Sequence, residues 1–535
     1  MSRLIKRYRL KQFFLMLTVV IFISQMIPLH AQYVRRDEFR TEEQRRQQYA
    51  LDDWISYMSG KQIVSVDIGV NYIYFATLDG GILRYRLYQN YWDYPFTTSN
   101  GLPSNRVTDV VYDDNNSYLW AVTESDTSIF LPAQQEWLSK SQATSWFYTF
   151  PRKKRPQPEG PLEKNIYYPR RYLNKLPNYF ANGPWTVIEN WQIMDENFDT
   201  YTITGFFMDN WERIWFTIDD LGIGIGGTLI GRFDVVPFGL PNITPKVTTF
   251  QYNDLWIGGT PKPGPERPGI ASWQDQDGSW QYYQARWISN LPSDNVRDIA
   301  INGDSVWFAT DYGLSLYDTR RNRWKSFDLA EGLWSRDVLD LMIYRKKLYI
   351  GTDRGLNILD LPTGILKRDK GEEILLATFN RVTVEQDTLW AATERGIYKR
   401  AVDGTTWITV YSNASINEVP ALAVTSFEKE LWFTSTGGVF WYDTVKKKWE
   451  DFPQLGLEIS PPFFDIAVNR KSVWVSTLEG LLKYNREMNY WKIFTTDDGL
   501  LSNECFRLLL DGDYIWIANR EGITQFYWNN PARID

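Results

Sequence analysis

Apolar and polar residues alternate in short runs along most of this chain, and turn residues separate the runs. In VWFATDYGLSLYDTRRNRWKSF (306–327), the runs VWFAT and LSLYD are rich in β-branched and aromatic residues, and DYG and TRRNR follow them. A period of two with this composition is typical of β-strands, and Gly313 suits a turn that needs a positive φ. The segment therefore predicts three consecutive strands joined by tight turns.

The same unit recurs along the chain. LWFTSTGGVFWYDTVKKKWEDF (431–452) and VWVSTLEGLLKYNREMNYWKIF (473–494) are close copies, and LWAATERGIYKRAVDGTTWITV (389–410) is a looser one. A linker and one further apolar strand precede each unit, so each repeat holds four strands in 41 or 42 residues from Trp307 onward. This is the blade of a β-propeller, whereas a parallel solenoid, the alternative, uses shorter coils. The units open at Tyr74, Trp120, Trp215, Trp256, Trp307, Tyr349, Trp390, Trp432, Trp474 and Trp516.

A second tryptophan opens the outer strand of most units, and an aromatic residue follows it three positions later, as in Trp324 and Phe327. The last unit begins at Trp516 and lacks this strand. WISY, near the N-terminus, has the missing spacing in Trp54 and Tyr57. We therefore expect the N-terminal strand to complete the last blade, because closure of this kind removes exposed sheet edges.

These features predict an all-β fold, a β-propeller of about ten four-stranded blades over residues 51–535. One large ring closed by the N-terminal strand is the first interpretation. Two smaller rings, with the chain crossing between them and returning, are the alternative. The repeat spacing is irregular at 120–215 and 256–307, so a crossing is expected there, and residues 138–200 form a proline-rich, basic insertion without a clear repeat.

The first 31 residues differ from the rest. Five Lys or Arg and no acidic residue precede the apolar run FFLMLTVVIFISQMI, and a small residue, Ala31, follows it. This layout is typical of a cleaved signal peptide, and a retained anchor is the alternative. The run is shorter than the roughly 20 residues of a spanning helix. We expect a periplasmic or secreted protein with no later membrane span and with a charged tether over residues 32–50.

Charge and composition exclude several functions. Without the N-terminal cations the chain has 53 basic and 65 acidic side chains, which disfavours nucleic acid as a partner. The one cysteine, Cys505, cannot form an internal disulfide. The one histidine, His30, lies in the predicted signal peptide, so imidazole bases and imidazole metal sites are absent from the exported chain. No cofactor is predicted.

The stretches LWFTSTGG, VWFATDYGL and DDGLLSNECFRLLL resemble the two-component regulator propeller repeat, and the resemblance covers nearly all of residues 51–527. It implies a bacterial propeller of the kind that builds the periplasmic sensor region of many hybrid histidine kinases and also occurs in free-standing exported proteins. It further implies binding of extracytoplasmic, often glycan-derived, ligands. No kinase, regulator or DNA-binding segment follows the repeats, so we expect any signal to pass through a separate partner.

The first candidate site is the channel. Inner strands line the channel of a propeller, and some of them carry a carboxylate at a matching position. These carboxylates would form a ring around the channel mouth that is able to hold Ca²⁺ or a polyol. The alternative is structural: each Asp accepts backbone N–H bonds in the adjoining turn. No metal ligand is assigned. The candidate residues are Asp109, Asp298, Asp340 and Asp465, with Arg507 at the same place in the last unit.

The second candidate site is the basic stretch PRKKRPQPEGPLEKNIYYPRRYLNKLP (151–177), which six prolines make unsuitable for regular structure. Long loops are usually functional or disordered, and this one suits an anionic glycan, a lipid headgroup or an acidic protein face. A solvated insertion is the alternative. The candidate residues are Arg152, Lys153, Lys154, Arg155, Arg170 and Arg171.

Tryptophan is abundant, and sugars stack on aromatic faces. Sixteen of the 25 tryptophans open repeat units or outer strands and are explained by blade packing. The repeat leaves nine unexplained, although core or loop packing is favoured for these as well: Trp146, Trp185, Trp191, Trp211, Trp273, Trp287, Trp334, Trp441 and Trp528.

Three functions follow from these features. The favoured one is a non-enzymatic exported propeller that binds a small ligand, a glycan or an envelope protein through ring-face loops and the channel mouth. A glycan hydrolase or lyase that uses carboxylates or tyrosine is the second, but the sequence assigns no Asp/Glu pair a separation. A scaffold or assembly factor for an envelope complex is the third.

Overall fold

The computed structural model describes residues 34–35, 40–143, 150–151, 156–157, 160–173, 179–188, 191–263, 268–274, 276, 278–371, 374, 376–410, 419–452 and 455–533. Residues 1–31, the predicted signal peptide, lie outside these ranges. None of the helices in these ranges is long and apolar enough to cross a membrane. The helices are the α-helices Glu42–Arg46 and Leu455–Glu458 and the 3₁₀ turns Thr98–Asn100 and Arg170–Tyr172.

Within the described residues, ten antiparallel four-stranded blades follow one another, and we number them in chain order. From inner to outer strand, blade 1 is Ile63–Ile68, Tyr72–Thr77, Ile82–Arg86 and Trp92–Phe96; blade 2 is Val107–Asp113, Tyr118–Thr123, Thr127–Leu131 and Glu136–Ser139; blade 3 is Thr200–Met208, Arg213–Ile218, Gly222–Gly227 and Arg232–Pro237; blade 4 is Ile243–Gln251, Asp254–Pro261, Ile270–Trp273 and Trp280–Tyr283; blade 5 is Val296–Asn302, Ser305–Thr310, Gly313–Asp318 and Arg323–Phe327. Blade 6 is Val338–Tyr344, Lys347–Thr352, Gly355–Asp360 and Ile365–Arg368; blade 7 is Phe379–Glu385, Thr388–Thr393, Gly396–Ala401 and Ile408–Thr409; blade 8 is Ala421–Phe427, Glu430–Ser435, Val439–Asp443 and Lys448–Asp451; blade 9 is Asp465–Val468, Ser472–Ser476, Leu481–Asn485 and Tyr490–Phe494; blade 10 is Cys505–Asp511, Tyr514–Asn519, Ile523–Tyr527 and Trp54–Tyr57.

A recurring turn joins the second and third strands of a blade. In blade 5, the hydroxyl of Thr310 donates to the carbonyl of Gly313 at 2.7 Å, and Gly313 has the predicted positive φ, +133°. Blade 9 repeats the turn with Thr477 and Gly480. A Cβ on Gly480 would lie 2.3 Å from the carbonyl oxygen of Phe494, so this turn requires glycine for space as well as for φ.

The N-terminal strand completes the last blade. Trp54–Tyr57 pairs antiparallel with the third strand of blade 10, with Trp54 opposite Phe526. The two rings stack at a centroid distance of 3.7 Å and an interplanar angle of 7°, and Trp54 is 1% exposed. The predictions of an all-β fold of about ten four-stranded blades and of an N-terminal strand that completes the last blade are confirmed.

The segment before the closing strand is anchored as well. Arg45, in the first helix, is buried, and its guanidinium pairs with the carboxylates of Asp497, at 3.1 Å, and Asp498. Farther upstream, Val34–Arg35 pairs in parallel with the outer strand of blade 9. Asp53, next to the closing strand, pairs with Arg533 near the C-terminus. Charged side chains therefore attach both ends of the chain to the propeller.

The blades do not form one large ring. In the described part of the chain, the inner strands of blades 4 to 10 contact each other in sequence, and the inner strand of blade 10 contacts that of blade 4. These seven blades are the ring. Blades 1 to 3 pack in the order 3–1–2 and form an open unit, the arc: Trp215 of blade 3 contacts Tyr85 of blade 1, and Tyr74 of blade 1 contacts Tyr112 of blade 2. The arrangement is thus closer to the alternative of two units.

The chain crosses between ring and arc at two adjacent segments, 58–62 and 238–242. The N–H of Leu240 donates to the carbonyl of Met58 at 2.9 Å, and the ring of Phe238 lies against Gly60. The expectation of a crossing within 120–215 or 256–307 is wrong. Irregular spacing there reflects insertions within the units, whereas the real crossings are short linkers that leave the repeat spacing almost unchanged.

The insertion covers the two ends of the arc. At the blade 2 end, Phe150 packs edge-on against Trp120 at 5.2 Å. At the blade 3 end, Trp185 and Val187 pack against the apolar face of that blade. Two short strands, Tyr167–Pro169 and Gln192–Met194, pair with the free edge of the blade 3 inner strand, and Phe180–Ala181 and Thr186–Val187 extend the sheet. The arc is therefore capped by its own insertion instead of closing on itself.

Candidate functional site

One layer of the ring channel is built from a single repeat position. In each ring unit, this residue stands nine places before the aromatic that opens the unit. In blades 5, 6, 7 and 10 it directly follows a register shift in the pairing of the inner strand, so its side chain has the same orientation in these blades. In the ring this layer consists of Val247, Asp298, Asp340, Arg381, Ala423, Asp465 and Arg507. The sequence identified Asp298, Asp340, Asp465 and Arg507 at this layer, and Arg381 was missed.

These charged side chains meet across the channel. A terminal nitrogen of Arg507 lies 2.5 Å from Asp298, and the equivalent nitrogen of Arg381 lies 2.5 Å from Asp465. Arg381 also reaches Asp340 at 3.4 Å, and the guanidinium of Arg507 lies 3.9 Å from both Asp340 and Asp465. We call these five residues the channel plug.

Each plug carboxylate also binds the next blade. Asp298 accepts from the N–H of Leu341 at 2.8 Å, Asp340 from that of Val382 at 2.8 Å, and Asp465 from that of Leu508 at 2.9 Å. These three residues accept backbone N–H bonds, as the structural alternative requires, but from other donors than it named. The N–H groups belong to the neighbouring inner strand and not to the adjoining turn, so the carboxylates connect blade to blade.

The electrostatics follow from burial. Three carboxylates face two guanidinium groups, and burial raises the pKa of Asp340 to about 7, with the charge of Asp298 adding to the rise and Arg381 opposing it. Burial alone lowers the pKa of Arg381, but Asp465 and Asp340 more than offset this and raise it. The carboxylates are at most 4% exposed. They are saturated by partners within the protein, unlike the carboxylates of a hydrolytic cleft, which face a substrate.

The other predicted site residues lie elsewhere. Asp109 is in the arc, exposed to solvent, and accepts from the hydroxyl of Ser65 at 2.6 Å, so it takes no part in the plug. Arg170 and Arg171 lie in the short turn beside blade 3, and each contacts an aromatic ring, Trp191 at 5.3 Å and Tyr172 at 5.1 Å. Arg152, Lys153, Lys154 and Arg155 lie outside the described residues.

An open groove lies where the arc meets the ring. It has a volume of about 850 Å³ and lies between the insertion and edge of blade 3 on one side and the outer strands of blades 4 and 5 on the other. Aromatic side chains are prominent in its lining. They include Trp185, Tyr201, Trp280, Tyr282, Tyr283, Trp287, Tyr317 and Trp324.

The aromatic groove also has polar lining residues, which include carboxylates, amides and the cation Arg323. Asp195, Glu196 and Asp199 supply carboxylates, and burial raises the pKa of Asp195. Asp199 accepts from the indole N–H of Trp287 at 2.8 Å and thereby orients that ring, which is 38% exposed. The buried Gln284 also lines the groove, and its amide nitrogen has no partner among the described residues.

Two of the nine unexplained tryptophans thus belong to this groove, Trp185 and Trp287. Trp441 and Trp528 pack in blade cores and Trp273 against Tyr57, which agrees with the favoured structural role. Trp334 packs against Gly355, and Trp191 lies beside Arg170. Trp211 is exposed on the arc, and Trp146 lies outside the described residues.

No protein-family model matches the chain, and no curated protein is similar to it in sequence. Solved structures do match. The extracellular domain of the hybrid two-component system BT4673 from B. thetaiotaomicron is 14% identical, with a TM-score of 0.46 over 89% of this chain and 71% of that one. The extracellular domain of BT3049 from the same organism is also 14% identical, with a TM-score of 0.44 over 88% and 76%.

PorZ of Porphyromonas gingivalis, a surface component of the type-IX secretion system, is 14% identical, with a TM-score of 0.45 over 87% of this chain and 74% of that one. At this identity the likeness concerns the fold. The chain resembles the two-component regulator propeller repeat proteins in fold. Extracellular domains of two-component systems are thus among its structural neighbours.

Proposed function

We propose that this protein is an exported, non-enzymatic β-propeller that binds a glycan in the aromatic groove between arc and ring. The observation that supports this proposal is the contrast between two openings. The channel is occupied at one layer by five mutually paired side chains, whereas the groove is open and lined by aromatic side chains, among which Trp287 is 38% exposed. We therefore propose the groove as the binding site, in place of the channel mouth that the sequence analysis favoured.

The groove suits a linear glycan better than a compact anion. Pyranose rings present apolar faces that stack on indole and phenol rings, and their hydroxyls accept from amide donors and donate to carboxylates. Three carboxylates and one cation, Arg323, line the groove, so its net charge is negative and neutral or cationic glycans are preferred over acidic ones. The basic insertion residues near Arg170 are not part of this lining.

The test is calorimetric titration of the purified protein with neutral, cationic and acidic polysaccharides and their oligosaccharides. We expect binding of a neutral or cationic glycan, and Trp287→Ala should lower its affinity about tenfold or more, as for a central aromatic contact. Trp211→Ala is the matched control, because Trp211 is 56% exposed but lies on the arc away from the groove. Absence of binding to every glycan, or an equal loss in both variants, would contradict the proposal.

The same samples distinguish binding alone from enzymatic conversion of the oligosaccharide. A hydrolase or lyase would convert the bound oligosaccharide, and chromatography of the titrated mixtures detects the products. We expect the oligosaccharide to be recovered intact. Turnover that is lost in Asp195→Asn but not in Asp298→Asn would place a reaction in the groove and replace the binding role.

A further inference from the structure

The hairpin tips of the arc present a shared surface. In an antiparallel four-stranded blade, the hairpin between strands one and two and the hairpin between strands three and four lie at the same end of the sheet. Hydrogen bonds join the two tips within blade 3, from Thr228 to Glu212 at 3.2 Å, and within blade 1, from Leu87 to Asn71 at 3.0 Å. Arg213 donates to the carbonyl of Leu87 at 3.0 Å and joins the two blades at this end.

This end of the arc is apolar. Leu229 and Ile230, at one tip of blade 3, are 95% and 76% exposed, and Trp211, at the other tip, is 56% exposed. Tyr88 and Val70, at the tips of blade 1, are 68% and 61% exposed. We call these five residues the arc patch. Scattered apolar side chains are normal on a surface, but a contiguous group of this kind marks an interface.

The ring provides the internal comparison, because its blades have the same hairpins at the same end. There the tips carry mostly charged residues, such as Arg345, Asp387, Glu428 and Arg470, and neighbouring tips form ion pairs, 2.8 Å between Arg345 and Asp387 and 2.6 Å between Arg470 and Glu428. The fold therefore does not require apolar tips, and the arc patch needs another explanation.

A pocket lies beside the arc patch. Its volume is about 440 Å³, and Val70, Tyr88 and Trp211 line it together with Ile166 from the insertion. Asp114, at a tip of blade 2, adds an exposed carboxylate to the lining. Leu229 and Ile230 are not part of the lining, and the exposed Arg232 follows them in the chain. The lining also contains Glu163 and Lys164, and Lys164 pairs with Glu212 at 3.0 Å. One face thus carries both an apolar protrusion followed by a cation and a partly apolar pocket with the exposed carboxylate of Asp114.

We propose that the arc patch is a self-association surface, on which Leu229 and Ile230 of one chain enter the pocket of a second copy. A twofold contact uses the same patch on both subunits, so a protrusion and a matching pocket on one face are what it requires. Arg232 of each copy lies opposite Asp114 of the other. A bilayer is the less suitable occupant, because it offers no side chain for the pocket and the lining is acidic.

The first test is the mass of the purified chain by light scattering and sedimentation across a wide concentration range. We expect a concentration-dependent dimer. Leu229→Asp with Ile230→Asp should raise the dimer dissociation constant about a hundredfold or more, because two buried apolar contacts are lost in each half of the interface. The matched control is Val445→Asp with Met488→Asp, at ring hairpin tips that are 64% and 54% exposed, and it should dimerise normally.

The second test exchanges charges. Arg232→Glu and Asp114→Arg should each raise the dissociation constant about two- to fivefold, as for an exposed ion pair, and the double variant should restore it. Cross-linking gives the geometry: chains with Leu229→Cys and chains with Val70→Cys should form a mixed disulfide on oxidation, since the native Cys505 is buried.

Three results would overturn the proposal: a monomer at every concentration, a dimer that the Leu229 and Ile230 variant leaves unchanged, or a monomer that binds neutral lipid vesicles through these tips. Circular dichroism and thermal unfolding check that the variants remain folded, and we expect substitutions of exposed tip residues to change the free energy of unfolding by no more than about 0.5 kcal/mol.

Discussion

The ring and the arc are built from the same repeat, yet they solve the problem of blade edges differently. The ring closes on itself, with the strand at Trp54 completing blade 10 and the channel plug connecting facing blades. The arc stays open, and the insertion covers both of its ends. The position just past the irregularity of the inner strand is consequently buried in the ring and exposed in the arc, as Asp298 and Asp109 show. A repeat residue acquires its role from its neighbours.

Closure of the ring gives the largest expected effect. Trp54→Ala removes a fully buried indole that stacks on Phe526, and we expect the free energy of unfolding to fall by about 3–5 kcal/mol. Amide hydrogen exchange should rise in residues 505–527, about 450 positions away in sequence. Trp137→Ala, in the outer strand of blade 2, is the control, and its exchange effect should stay within the arc. An unchanged rate in 505–527 would contradict closure.

The next effect is the loss of stability when the carboxylate of Asp298 in the ring, or that of Asp109 in the arc, is removed. Asp298→Ala leaves the guanidinium of Arg507 and the N–H of Leu341 without their carboxylate, and we expect a loss of about 3 kcal/mol. Asp109→Ala, at the matching inner-strand position in the arc, should change the stability by less than about 0.5 kcal/mol. Denaturant unfolding of both variants checks this. Equal losses would show that ring and arc use the position alike.

The insertion strand Tyr167–Pro169 can cover the edge of blade 3 because the residue beneath it, Gly205, has no side chain. A Cβ on Gly205 would lie 2.2 Å from the hydroxyl of Tyr167, in the short strand that covers the blade 3 inner edge. Gly205→Ala should therefore displace this strand and cost about 1–3 kcal/mol. Gly227→Ala, in the same blade, meets no atom within 4 Å and is the control. Limited proteolysis of the insertion should increase only in the Gly205 variant.

A further effect concerns pH. The pKa of Asp340 is raised from 3.8 to about 7, so the folded state binds a proton that the unfolded state releases over this range. Asp340 therefore contributes stability that is present below about pH 4 and lost as the pH rises through about 7. Asp340→Asn mimics the protonated form. We expect its thermal midpoint to match the wild type at low pH and to fall less between these pH values.

Asp369→Asn is the control for the pH series. Asp369 is a ring carboxylate that pairs with Arg400 at 3.1 Å outside the plug. Parallel pH curves for the wild type and Asp340→Asn would show that the plug holds Asp340 ionised throughout.

Much of the blade could be predicted, because a blade is a local structure. Period-two alternation and the Thr-x-x-Gly turn fix four strands within about 42 residues, and the Trp54 spacing identified a strand pairing across the whole chain. Arg381 was missed because its strand, NRVTVE, has an arginine at the position where three other inner strands of the ring have an aspartate. The constant nine-residue distance to Trp390 is the signal that would have found it.

The sequence by itself determined that this protein is a propeller of repeated blades, where each blade begins and how the last is completed, since these depend on contacts close in the chain or on one repeated spacing. Only the tertiary structure decided that seven blades close and three do not. That choice depends on how neighbouring blades pack and on short insertion strands, Tyr167–Pro169 among them, that pair with an edge no local pattern marks. The channel plug and the aromatic groove arise in the same way, from side chains brought together only after the blades have packed.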